Sequence, residues 1–221
     1  NIFLFILIIL QIQFSFPLIK LEGEMEQNVI RAVSIVLSDS KPEIPKLEKD
    51  YKPKISIVIP VYNEENFIKD VLKSIQMQSL KELEILFIDD KSTDKSVIKI
   101  NQFKKEDPRI RLIKNAKNRG ILYNRIYGGL QAKADYVTFI DADDLYANPQ
   151  ILEMAYNACV KNDLDILEFD YYGGRFDRKK MLFKDAFLFS NQNKDLYDKV
   201  YYQPEIKKRF FYQQGTEDIL A

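Results

Sequence analysis

Four short runs rich in β-branched and aromatic residues, each followed by a segment of helical periodicity, leave this chain very few architectures. The runs are Ile55–Ile59, Glu84–Ile88, Arg109–Ile113 and Tyr136–Ile140. Uninterrupted apolar runs of this length suit strands buried on both faces. Pro60 is expected to end the first. Phe67, Ile68, Val71, Leu72 and Ile75 then recur at helical spacing. Asn63 is the expected N-cap of that helix, with Glu64 and Glu65 in its first turn, where the helix dipole favours negative charge. A second helix shows Val97, Ile98, Ile100 and Phe103 on its apolar face. A third, Arg119–Ala132, is expected to turn Ile121, Leu122, Ile126 and Leu130 inward. Pro149 opens a fourth, at a position where proline is tolerated. A fifth strand is expected at Leu164–Phe169. Strands alternating with helices imply an α/β fold, a Rossmann-like and mostly parallel sheet with helices on both faces.

In such sheets ligands collect beyond the carboxyl ends of the strands, and the chain's acidic clusters fall there. The fourth run ends in Asp141-Ala142-Asp143-Asp144. Three carboxylates this close repel one another unless a positive group binds them. Hard cations such as Mg²⁺ and Mn²⁺ prefer oxygen ligands and carry substrate phosphates in their remaining positions. The cluster therefore reads as a metal and pyrophosphate site, its bland alternative being a surface acidic turn before the next helix. After the second run, Asp89-Asp90-Lys91-Ser92-Thr93-Asp94 serves either as a helix cap or as a contact to a nucleoside through Asp90. Arg119, in Asn118-Arg119-Gly120, is either a phosphate partner or an ordinary solvated residue at a helix start. Thr216-Glu217-Asp218 is either a surface cap or the base that a transfer to a hydroxyl requires. No GxGxxG follows any run, so a dinucleotide-binding fold is unsupported.

Composition closes off several classes. Lys plus Arg equals Asp plus Glu at 33 each, without the basic excess of a nucleic-acid binder. Zero His removes His-dependent hydrolysis and His-ligated zinc. Cys159, the only cysteine, reads as a core filler. Residues 1–19 are charge-free and open on nine consecutive apolar residues, Ile2–Leu10. They are expected to be a signal peptide or membrane anchor, placing the protein along the secretory membranes or outside the cell. Residues 20–54, punctuated by prolines and charges, are expected to be a linker. The main domain is then expected to be 55–221, with a C-terminus expected to be incomplete.

Taken together these motifs resemble the family 2 glycosyltransferases of the GT-A fold. The resemblance runs from about Lys54 to Ile219. Ile55–Glu65 looks like the family's opening strand and nucleotide loop, and Gln78-Ser79-Leu80 like a turn that follows it. Asp89–Asp94 is similar to its second acidic motif, with Lys91 where Gly is usual. Asp141–Asp144 looks like its DxD element. The resemblance implies that Pro60, Tyr62, Glu64, Asp90, Arg119 and Asp141 line the nucleotide site. It implies Asp143 as principal metal ligand, Asp144 as a second, and Asp218 as general base. The implied reaction is inverting: hexosyl or N-acetylhexosaminyl transfer from a nucleotide-sugar, a UDP-sugar first, to a hydroxyl of a glycan or lipid, with Mn²⁺ or Mg²⁺. No Trp is present, so the Gln-x-x-Arg-Trp element of processive synthases is absent. A nucleotidyltransferase and a non-catalytic binding protein of the same fold are the rival classes.

Overall fold

The apolar runs pair side by side into one parallel sheet. The computed structural model describes residues 31–164 apart from 32, 39 and 40, residue 167, and the strands β1 (Ile2–Phe5), β2 (Ile19–Lys20), β7 (Tyr171–Asp177) and β8 (Leu182–Phe189). Between them lie β3 (Ile55–Val61), α1 (Ile68–Gln76), β4 (Leu83–Asp89), α2 (Ser96–Glu106), β5 (Ile110–Lys114), α3 (Ile121–Gln131), β6 (Tyr136–Phe139) and α4 (Ile151–Asn162). The sheet order is β5-β4-β3-β6, every pair parallel. β3 and β4 are buried along their whole length, which is why their sequences do not alternate with polar residues.

Alternate residues of these strands serve two cores. Ile55, Ile57, Ile59 and Val61 of β3 and Leu83, Ile85 and Phe87 of β4 pack with Ile68, Val71, Leu72 and Ile75 of α1, Ile100 of α2 and Leu152 of α4. Val58, Leu86 and Ile88 face the other way, toward Tyr127 of α3. Helices thus cover both faces, as the alternating pattern implies. Cys159 is buried in α4, consistent with a filler.

Two features of β3 and α3 differ from expectation. β3 continues through Pro60 to Val61, with Pro60 in register opposite Ile88. Pairing with β6 stops at Val58 opposite Phe139, so the missing N–H of Pro60 falls on a side that needs no ladder bond. In α3, Ile121, Leu122, Ile126 and Leu130 are exposed, while Asn124 and Gly128 are buried. Close approach sets this rotation. A Cβ on Gly128 would lie 2.3 Å from Cγ1 of Val58 and 3.2 Å from Cγ1 of Ile88. Only glycine fits against the sheet there. Ile98 of α2 is exposed as well.

Glu84 fastens the opposite end of the sheet. Its carboxylate accepts hydrogen bonds from the Ser56 hydroxyl, the Lys133 backbone N–H and the Arg111 guanidinium. It thereby joins β3, β4, β5 and the connection from α3 to β6. Burial alone would raise its pKa, but these donors outweigh burial and hold it below the usual glutamate value.

The remaining strands form an antiparallel sheet, β1-β7-β8-β2. Ile2–Phe5, within the expected leader, is a strand against β7; most of 1–19 lies outside the described residues. So does most of the expected fifth strand at Leu164–Phe169. Within the expected linker, 33–37 is helical and 41–48 has no regular structure. Among the described residues, no helix is long and apolar enough to cross a membrane.

Candidate active site

The loops after β3 and β4 are bound into one unit. Asn63 takes a left-handed backbone, φ 59°, a conformation Asn tolerates better than most residues. Its side-chain Oδ1 accepts from the Thr93 N–H at 2.8 Å and the Thr93 hydroxyl at 3.3 Å. In return the Asn63 N–H donates to the Ser92 hydroxyl, the Glu64 N–H to the Ser96 hydroxyl, and the Glu65 N–H to Asp94. The Lys95 N–H donates to the Glu65 carboxylate at 2.8 Å. Asn63 therefore caps the neighbouring loop and not its own helix, which starts later, at Ile68, after Phe67. The expected N-cap is corrected by tertiary partners that no local spacing reveals.

Asp90 fastens a third loop. One of its oxygens accepts from the Asn115 amide at 2.9 Å and the Arg119 N–H at 2.7 Å; the other accepts from the Gly120 N–H at 2.8 Å. Burial pushes its pKa up, but these donors outweigh that and hold it below the usual aspartate value. Gly120 sits at φ 83°, where a side chain would be strained. Asn115 also donates to Asn124 at 2.6 Å. Asp90 thus anchors the start of α3 to the end of β4.

Negative charge collects where these loops meet the end of β6. Glu64 is half-buried, and its carboxyl is pushed up to about 7, first by burial and then by repulsion from Asp143, Asp94 and Asp141. Asp143 is raised too, chiefly by burial, with Asp141 adding repulsion. Arg125 of α3 supplies a cation, its Nη2 2.7 Å from Asp141. Asp144 has no exposed surface at all; its backbone N–H closes the turn onto the Asp141 carbonyl at 3.0 Å. Among the described residues, no three His, Cys, Asp or Glu side chains are grouped as a metal cage. A small hard cation that keeps waters and substrate phosphates needs only one or two protein carboxylates.

The other expected site residues sit nearby or outside the described part. Pro60 is buried within β3 and Tyr62 is exposed just beyond it. The Arg119 guanidinium lies over the Tyr123 ring, 5.1 Å from its centre. Asp218 lies outside the described residues. Sequence reasoning passes over Arg125 and Asn124. The available signal was that Arg125 is the one charged residue of α3, placed one turn after Gly120.

With this geometry in hand, comparison with known proteins is decisive for the family. The family model described as "Glycosyl transferase family 2" matches residues 56–212. The chain belongs to glycosyl transferase family 2. Its parallel sheet with helices on both faces is the GT-A fold that the motifs imply. An uncharacterized glycosyltransferase of Haemophilus influenzae is 39% identical over 119 residues, covering 54% of this chain and 47% of its own length. Glycosyltransferase GlyA of Streptococcus pneumoniae is 33% identical over 147 residues, covering 66% of this chain and 20% of its own. Among solved structures, S. aureus TarS 1–349 aligns with a TM-score of 0.47 and 27% identity, over 51% of this chain and 34% of that one. The chain therefore spans less than half the length of the relatives named here.

Proposed function

We propose that this chain carries the donor site of a metal-dependent, inverting glycosyltransferase that moves a sugar from a nucleoside diphosphate to a hydroxyl acceptor. The observation that carries the reading is the acidic cluster of Glu64, Asp94, Asp141 and Asp143 at the carboxyl ends of the parallel strands, with Arg125 paired to Asp141. Such a cluster costs stability unless a cation joins it. Asp143 and Asp141 would hold Mn²⁺ or Mg²⁺. The metal would neutralise charge on the departing diphosphate. The loops at Pro60–Glu64 and Asp90, locked together by Asn63, form one wall for the nucleoside. Arg119 and Arg125 add positive charge for phosphate oxygens. In this reading Asp218 accepts the proton of the attacking hydroxyl, as the family resemblance implies.

Thermal shift against UDP and GDP, with and without Mn²⁺, tests the donor site, since a bound ligand raises apparent stability. A nucleoside diphosphate should raise Tm only when Mn²⁺ is present, and Asp143→Ala should abolish that response without lowering the basal Tm. A nucleotide response that survives Asp143→Ala with Mn²⁺ would refute the metal assignment. Product analysis separates the rival: release of a nucleoside diphosphate marks sugar transfer, release of pyrophosphate a nucleotidyltransferase.

A further inference from the structure

The face of α3 that turns away from the sheet is apolar. Leu122, Ile126 and Leu130 stand one helical turn apart on it and are 69%, 58% and 76% exposed. Ile121 and Tyr123 extend the patch at the end nearest Gly120. Arg119 lies over the Tyr123 ring at that end, while Leu122, Ile126 and Leu130 stay open. The rotation that exposes them is enforced by Gly128 against Val58 and by Asn124 against Asn115, so the helix cannot turn them inward. Exposed apolar stripes of this kind mark interaction surfaces.

Charge around the stripe indicates the occupant. The whole chain is balanced, 33 cations against 33 anions. Yet Lys114–Ala134 holds five cations and no Asp or Glu. Arg125 is engaged with Asp141, but Lys114, Lys117, Arg119 and Lys133 are all exposed, at the two ends of the helix. The first acid beyond them is Asp135. Size argues against a second protein as the occupant. From Leu122 to Leu130 is about 12 Å of helix, a strip one side chain wide. A stable protein interface needs about 800 Å² from each partner. A lipid surface has no such minimum: a short apolar stripe enters the acyl boundary while flanking Lys and Arg meet anionic headgroups.

We infer that the outer face of α3 docks on an anionic lipid surface. The contact is peripheral, and it stands whether or not the donor-site reading does. Because Arg125, paired with Asp141, belongs to the same helix, docking would hold the acidic cluster beside the bilayer.

Co-sedimentation of the full chain with vesicles of phosphatidylcholine, alone or mixed with phosphatidylglycerol, tests this. Mixed vesicles should bind about tenfold more tightly than phosphatidylcholine alone. Leu122→Ser with Leu130→Ser should weaken binding to mixed vesicles about tenfold. Lys114→Gln, Lys117→Gln and Lys133→Gln together should remove the preference for phosphatidylglycerol. Solution mass by light scattering should stay unchanged in both variants, and Tm should fall by no more than the small helix-propensity loss of two serines. Binding that is equal for both vesicles, or undiminished in either variant, overturns the inference. So does a Tm lowered in the serine variant well beyond that propensity loss, which would show that the chain's own residues cover the face. So does a dimer lost on the same substitution, which would make the occupant a second copy.

Discussion

Glu64→Gln removes a carboxyl that the fold holds against its own charge. In the native loop its pKa stands at about 7, against 4.5 unperturbed, because of burial and then Asp143, Asp94 and Asp141. At about 1.4 kcal/mol per pKa unit, the gap sets a ceiling of about 3.5 kcal/mol. The loop is partly open to water, so screening reduces this to about 1–2 kcal/mol. The direction follows from linkage. A pKa raised on folding means that the folded state binds the proton more tightly. The favourable contribution is complete below about pH 4.5 and is lost as pH rises through 7. The wild type should therefore lose about 1–2 kcal/mol relative to the Gln variant between pH 4.5 and 8. Urea unfolding of both proteins at several pH values measures the difference. Gln is nearly isosteric, and the Glu64 N–H keeps its bond to the Ser96 hydroxyl, so packing is little changed. A wild-type-to-variant gap that is constant with pH would show that Glu64 does not feel the carboxylates around it. If the gap appears, millimolar Mg²⁺ at pH 8 should narrow it, because a cation at Asp143 relieves the repulsion.

Gly128→Ala should destabilise the protein by about 1–3 kcal/mol despite the better helix propensity of alanine, because the added methyl meets the buried Val58 side chain. Thermal unfolding would check it, and an unchanged or raised Tm would mean that α3 does not sit this close to the sheet. Asn63→Ala should cost about 1–2 kcal/mol, through the left-handed backbone and the lost acceptor for Thr93. Asn63→Gly should recover only the backbone part, and equal losses in the two variants by urea titration would contradict that division.

The acidic cluster illustrates how far local pattern carries a reading. Asp141 and Asp143 were legible because three carboxylates directly follow an apolar strand, and any parallel sheet brings strand ends together. Asp144 was equally prominent in the sequence, yet the turn folds it under the surface. The expected helix cap at Asn63 was chemically right about an Asn side chain seeking backbone N–H groups. Its partners, however, are Thr93 and Asp94, on another loop. Arg125 was passed over because a single Arg in a helix is normally solvated, and only the neighbouring strand end makes it a partner for Asp141.

Residue type and period alone determined the four strands of the parallel sheet, the helices between them and their parallel direction, since each apolar run demands burial and each helix must return the chain to the same edge; the order of those strands and the antiparallel sheet were not legible. They also determined that negative charge would gather at the strand ends. Tertiary structure decided which way α3 faces, which loop Asn63 holds and which carboxylates meet the cleft. Helical period counts apolar residues but cannot tell that a backbone will press against a valine. There a glycine must face inward, and the larger side chains Leu122, Ile126 and Leu130 are left outside.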